Sequence, residues 1–350
     1  MTILPNNLVP SDRQALTSAW ERVTASGRFI LGDEVAAFER EWGDYNGGHC
    51  VAVGSGFDAL QLCMRALEIG RGDRVIVPSN TCMPTWAAVI AVGAEPVPVE
   101  PDPATRCMAT NFLDAHLEYN AGVIRAIIPV HLYGMPADML DITTIADRYH
   151  VPVIEDACQA HGASPIGRGA FTCFSFYPTK NLAALGDAGA VVTNDIRMAE
   201  ELRRLRNYGG AGAINSRMDE LQAAILRERL PMLDTWNATR RQFADMYLAG
   251  LGGLPDLVLP YVPEWANPCW HQFVIQHPRR DALRAFLKDR QIETLIHYPV
   301  PPHRALGLDY HLPIADHLAA TVLSLPIAPH LTVRDILRVI ANVREFCECE

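Results

Sequence analysis

Short apolar runs alternate along the chain with stretches in which apolar residues recur at intervals of three and four. RVIVP (74–78), EPVPVE (95–100), VIRAIIPVH (123–131) and VPVIED (151–156) carry the β-branched density of strands, while 58–69, 84–92 and 136–149 carry helical spacing. Strands alternating with helices predict an α/β class with a mainly parallel sheet wrapped by helices. IIPV and VPVI are apolar at consecutive positions, as strands buried on both faces require. Before this repeat, Ser11 and DRQALTSAW predict a helix with an oxygen-bearing cap, followed by a turn at Gly27 and Gly32.

From 216 to 248 a helical stripe continues, with Pro231 breaking or bending it. The proline-rich 254–268 then leads to a strand-like HQFVIQ, an amphipathic helix RRDALRAFLKDR and a second strand-like ETLIHYPV. This predicts a large domain over 1–240 and a small α+β domain over 241–350. No internal repeat interrupts the pattern.

Composition narrows the function. With 350 residues and 49% hydrophobic content, the chain can build more than one core. A formal charge of −10 without a basic, aromatic-interleaved stripe excludes nucleic-acid binding as the organising interaction. No apolar run reaches the ~18 residues of a membrane span, which predicts a soluble, cytoplasmic protein. Nine cysteines without CxxC spacing read as reduced thiols, and Cys347 and Cys349 in the terminal CEC are assigned no role. His131, His297 and His303 lie in separate segments without HxxxH or HExxH spacing, so no metal site is expected.

Thirty residues are Lys or Arg, yet only Lys180 and Lys288 are lysines. Arginine cannot form a Schiff base at neutral pH. Lys180 lies in FTCFSFYPTKNLAALGDAGAVV, an apolar and aromatic stretch that disfavours the charged amine and so makes it a carbonyl-reactive nucleophile. Lys288, among charges on RAFLKDR, is expected on a solvated helix face. Asp156 ends an apolar strand, with Gln159 three residues on. A buried carboxylate there needs a cation or strong donors, which a protonated pyridine nitrogen supplies; an N-cap is the alternative reading. Gly54-Ser55-Gly56-Phe57-Asp58 joins CVAV to a helix and offers backbone N–H groups to an anion such as a phosphate. An aldehyde-trapping lysine, an acid for a ring nitrogen and a phosphate cradle on one sheet are what pyridoxal 5′-phosphate (PLP) requires.

The segments SGRFILGDEVAAFEREW, GSGFDALQL, GDRVIVPSNT, GAEPVPVE, PVHLYGMPADM, VIEDACQAHGA, FSFYPTKNL, NSRMDELQAAILR and ETLIHYPVPPH together resemble the DegT/DnrJ/EryC1/StrS family of PLP-dependent sugar aminotransferases, across nearly the whole chain. The resemblance implies the aspartate aminotransferase type I fold. It also implies that Lys180 is the Schiff-base lysine and general acid and base, that Asp156 pairs with the pyridine nitrogen and that Gln159 contacts the cofactor's 3′ oxygen. By the same resemblance Gly56, Ser175 and the N–H groups of Phe57 and Asp58 hold the phosphate, and Asn215 reaches the phosphate of a neighbouring subunit. Arg217, His131, Tyr133, His297 and Tyr298 are implied to face substrate. A homodimer with shared active sites follows.

VPSNT, PVHLYG and HYPVPPH are most similar to enzymes that aminate C3 of a nucleotide-linked 3-keto-6-deoxyhexose with glutamate as donor, by ping-pong transamination through pyridoxamine 5′-phosphate. Three departures stand out. Cys82 replaces the aromatic residue that stacks on the pyridine ring, with Trp86 either a substitute or a core residue. Phe57 replaces a phosphate-loop threonine. The segments HGASPIGRGAFT and NYGGAGAINSR are short, and the latter lacks the basic and aromatic residues that help bind a nucleotide diphosphate. The alternatives are a non-nucleotide keto-sugar or cyclitol as substrate, or an accessory protein without turnover; a sugar 3-dehydratase would carry histidine at Lys180.

Overall fold

The computed structural model describes residues 13–120 and 122–348; Ser11 and Cys349 lie outside them. Seven strands form the centre: β1 (His49–Val53), β2 (Arg74–Pro78), β3 (Glu95–Val99), β4 (Ile124–Ile127), β5 (Ile154–Asp156), β6 (Phe171–Ser175) and β7 (Gly189–Thr193). They lie in the orders β1-β7-β6-β5 and β3-β2-β4, joined where Ile127 bridges Val153 and Val130 bridges Asp156, both parallel. β7 runs antiparallel to both its neighbours; the other pairings are parallel.

The period of two places both faces of this sheet in apolar surroundings. Val51, Val53, Phe171, Cys173 and Val191 enter one core, and Cys50, Ala52, Phe174, Ala190 and Val192 enter the other. Gly189 fits where β7 meets the first helical turn after β1, since a Cβ there would lie 2.3 Å from the Ser55 carbonyl carbon.

β2 matches its expected span residue for residue, whereas 123–131 and 151–156 contribute only β4 and β5. Pro129 and Pro152 have no N–H for a ladder, so pairing there uses carbonyls alone: Pro129 accepts from Asp156 at 2.9 Å and Pro152 from Ile127 at 3.0 Å. The 216–248 stripe divides into helices Glu220–Arg229 and Leu233–Leu251 around a 3-10 turn holding Pro231. The expected domain boundary at 240 falls inside the second of these helices. That helix leaves one core at Leu233 and enters another at Phe243.

The second core packs Phe243, Tyr247, Leu283, Leu287, Ile336 and Val339 around a two-stranded antiparallel sheet, β8 (Phe273–Gln276) with β9 (Val322–Leu325). The strand expected over 293–300 is corrected here. Only Leu295 makes a bridge, to Ser324, while VLSL takes the strand position. Pro299, Pro301 and Pro302 deprive the 293–302 segment of consecutive donors. Lys288 is exposed on helix Arg280–Asp289, as its flanking charges suggested.

Candidate active site

The C-terminal ends of the parallel strands converge on a cavity of about 360 Å³. Gly56, Phe57, Cys82, Asp156, Gln159, Ser175, Lys180 and Tyr298 line it, so one space gathers most of the residues singled out in the sequence.

Asp156 ends β5 and is only 6% exposed. Its Oδ2 accepts from Thr85 Oγ1 at 2.9 Å and its Oδ1 from the Cys158 amide at 3.2 Å. Thr85 is in turn 3.0 Å from Thr81 Oγ1, one helical turn earlier. Among the described residues this carboxylate has no cationic side chain bonded to it. One hydroxyl and one amide leave acceptor capacity for a further donor from the cavity.

Lys180 sits in the turn after β6, its amide donating to the Tyr177 carbonyl at 2.8 Å. Its ammonium has no hydrogen-bonded partner among the described residues, and it lines the same cavity as Asp156. Burial is the main cause that pushes the Cys82 and Cys158 thiols up, with the lysine charge opposing it. Burial also lowers His297 to about 4 and His161 to about 3, and here the lysine charge acts in the same direction. Lys180 therefore has neutral thiols and neutral imidazoles for neighbours.

The turn expected to cradle a phosphate is the N-terminus of helix Gly56–Ala66. Ser55 caps it by accepting from the Asp58 amide at 3.1 Å, which corrects the expectation for Asp58: its N–H is already used, and its carboxylate accepts from Ser216 Oγ at 2.8 Å. The Gly56 and Phe57 amides stay open among the described residues. A Cβ on Gly56 would lie 2.6 Å from Ser175 Cβ and 2.7 Å from Cys158 Sγ, so only glycine lets the helix end approach the tip of β6.

A polar chain closes the other side. Gln159 Oε1 accepts from the Tyr133 amide at 2.6 Å, and its Nε2 donates to the Tyr298 hydroxyl at 2.7 Å. Tyr298 is also hydrogen-bonded to Cys82. The Tyr133 hydroxyl donates to the His297 carbonyl, tying the strand-end loop to the 293–300 segment.

Three residues expected to face substrate do something else. His131 is fully buried; its Nδ1 accepts from the Ala137 amide at 3.0 Å and its Nε2 is 2.9 Å from Glu155 Oε2, so both nitrogens serve the fold. Tyr133 and His297 are not among the residues that line the cavity; the His297 ring is 2.8 Å from Ser324 Oγ. Trp86 is a core residue, fully buried with Nε1 donating to the Pro78 carbonyl, whereas Cys82 lines the cavity. Asn215 and Arg217 lie outside the cavity, on a surface loop where Arg217 sits over the ring of Tyr208 at 5.5 Å and donates to Asn207 Oδ1.

Thr81, which closes the polar strand ending 78–81, lines the cavity as well, and sequence reasoning missed Thr85, Cys158 and Asp187 beside it. The i, i+4 spacing of the two threonines after a strand end was the available signal. Nothing local marks Asp187.

A model of the DegT/DnrJ/EryC1/StrS aminotransferase family matches residues 10–344. The chain is 47% identical to the dTDP-3-amino-3,4,6-trideoxy-alpha-D-glucose transaminase of Streptomyces venezuelae over 96% of this chain and 93% of the relative. It is 31% identical to the 3-oxo-glucose-6-phosphate:glutamate aminotransferase of Bacillus subtilis, covering 97% and 81%. The crystal structure of S. venezuelae DesV in complex with a ketimine intermediate superposes with a TM-score of 0.92 at 47% identity, covering 96% of this chain and 95% of that one. The chain belongs to the DegT/DnrJ/EryC1/StrS aminotransferase family and is a transaminase.

Proposed function

We propose that the protein uses PLP to transfer an amino group from glutamate to C3 of a nucleotide-linked 3-keto-6-deoxyhexose. The observation that carries the cofactor reading is the pairing, across one cavity, of an unpartnered Lys180 with a buried Asp156 that lacks a cation. The cavity fits the group in three further respects: two open amides at a helix N-terminus, a hydroxyl at Ser175, and a glycine wall that any Cβ would obstruct. When bound, PLP supplies the electron sink that amino transfer needs.

The chain's own residues do the rest. Lys180 Nζ gives and takes the proton at the reacting carbon. Asp156 holds a proton on the ring nitrogen, its orientation fixed by Thr85 and the Cys158 amide. Gly56, Phe57 and Ser175 bind the phosphate. Gln159 Nε2 spends one hydrogen on Tyr298 and keeps one for a cofactor oxygen. Cys82 gives the ring a small, soft contact in place of an aromatic face.

The sugar assignment rests on the S. venezuelae relative, whose name specifies a dTDP-linked 3-amino sugar. The donor rests on the B. subtilis relative, named for glutamate. Asn215 and Arg217 would complete a second subunit's site in a homodimer, a reading supported by their position on an exposed loop outside this chain's own cavity. Purified protein is expected to show a visible PLP absorbance that bleaches with glutamate and returns on addition of a dTDP-linked 3-keto-sugar. Return with the free or phosphorylated keto-sugar instead assigns the enzyme to non-nucleotide substrates, the reading favoured by the absence of Lys and Arg from 208–215. Mixing Lys180→Ala protein with Asn215→Ala protein regains activity if sites are shared, and stays inactive if each chain is self-sufficient.

A further inference from the structure

We propose that a narrow crevice beside Arg106 binds a single halide-type monovalent anion. Arg106 follows β3 in the loop that returns over the sheet, at a left-handed φ of 63°, and is 2% exposed. Its Nη1 donates to the Val274 carbonyl at 2.6 Å, and its own carbonyl accepts from Asn80 Nδ2 at 2.8 Å. Nε and Nη2 are buried and have no hydrogen-bond partner. Among the described residues Arg106 makes no ion pair. A guanidinium keeps its charge in a protein, so this is a buried cation with neither counter-charge nor full hydrogen bonding, a costly arrangement unless something else supplies both.

The cavity against it has a volume of about 20 Å³; Arg106, Tyr133, Met135, Trp270, Gln272 and Val274 line its inner end, and it opens to solvent past the exposed Ala104 and Tyr261. A water needs about 10–15 Å³ of such space, so the cavity takes one or two water-sized bodies and excludes phosphate, sulfate or a carboxylate ligand. Gln272 Oε1 is a second buried polar atom in this lining without a hydrogen-bond partner among the described residues. An amide whose oxygen bonds nothing can exchange the places of its O and N, which turns Nε2 inward and replaces an acceptor with a donor. Met135, Trp270, Val274 and the Tyr133 ring make the remaining walls apolar, so an anion is screened little from the guanidinium. Water alone would bridge Arg106 to Gln272 and leave the charge uncompensated; a halide satisfies both.

This site is separate from the catalytic cavity, of which Arg106 forms no part. It touches Tyr133, whose amide holds Gln159.

The test compares the thermal midpoint of the PLP-loaded full-length enzyme in sodium chloride or bromide with that in sodium gluconate at equal ionic strength. A saturating rise of about 2 °C with the halides is expected, the size that a ligand present well above its Kd gives a protein of this length. Crystals grown in sodium bromide should show an anomalous peak within hydrogen-bonding distance of Arg106. Arg106→Met removes the halide dependence. Gln272→Glu, which introduces a built-in counter-charge and keeps Arg106, removes it as well and serves if the first variant does not fold. A midpoint indifferent to the anion, or ordinary water density without an anomalous signal, overturns the proposal.

Discussion

The two walls of the catalytic cavity are built differently. On one, Asp156, Ser175 and the Gly56 helix end are each fixed by a strand whose register is set by neighbouring strands; Asp156 lies opposite Cys173 and Ser175 opposite Gly189. On the other, Gln159, Tyr298 and Cys82 hold one another through side chains, backed by the Tyr133 amide, and outside the cavity Asn215 and Arg217 lie on a loop whose Tyr208 is 62% exposed. Groups at strand tips need no partner to stay in place, so they can remain open to a ligand. Groups on loops are positioned by bonds that use up part of their capacity. The first wall suits a cofactor whose shape never changes; the second suits a substrate that comes and goes.

The largest effect expected is at the strand wall. Lys180→Ala should lower kcat by at least about 10³-fold, the range of a lost general acid–base group, with the far-ultraviolet circular dichroism unchanged. Near-normal turnover breaks the assignment of that wall to chemistry. Acid acts on the same region through its neutral histidines. His161 and His297 are held near 3 and 4 in the folded state, below the ordinary 6.5, chiefly by burial and further by the Lys180 charge. Below pH 6.5 the unfolded chain takes up protons that the native state refuses. Stability therefore falls as pH drops from 6.5 toward 4, by about 1.4 kcal/mol per pH unit for each histidine, or roughly 3 kcal/mol per unit for the pair. Urea unfolding at pH 6.5 and 5.5 checks this. His161→Phe, set among Trp42, Phe174 and Phe176, should remove its own share of about 1.4 kcal/mol per unit and leave those of His297 and of the buried His271, which is held well below its ordinary value too.

Asp156→Asn keeps the shape and removes the charge, and should cost about 10²-fold in kcat, as expected for a charge-assisted hydrogen bond worth about 1.5–3 kcal/mol. Gly56→Ala tests the close approach to Ser175. Overpacking of about 1–3 kcal/mol should appear as a weaker PLP affinity in spectroscopic titration, while the free protein unfolds at a nearly unchanged urea concentration if the helix end moves outward. The smallest effect belongs to the loop wall. Tyr133→Phe deletes the bond to the His297 carbonyl, about 1 kcal/mol, and should raise the sugar KM several-fold with kcat preserved. A drop in kcat with KM unchanged would assign Tyr133 to the chemical step and erase the contrast between the walls.

Legibility followed the same division. β2 and the tips at Asp156 and Ser175 could be read because a doubly buried strand leaves a continuous apolar run ending abruptly in a polar residue. Lys180 stood out as one of two lysines. ETLIHYPV misled because β-branched residues and alternation occur in extended loops too, and its prolines should have weighed more. VLSL went unnoticed because four residues at the end of a helix carry no period of their own. His131 looked like a ligand-facing residue at a strand end, yet Glu155, which claims it, shows only in three dimensions.

The linear chain determined the alternation of elements, the sheet they form and the residue types able to handle an aldehyde, a ring nitrogen and a phosphate, since these depend on periodicity and functional-group chemistry. Folding decided which of those groups stay available. Asp58 lost its amide to Ser55 and His131 both nitrogens to the protein, while Asp156 and Lys180 kept capacity facing one space. Hydrogen-bonding capacity is finite, and whether another part of the chain consumes it, as Glu155 does for His131, is settled by packing alone.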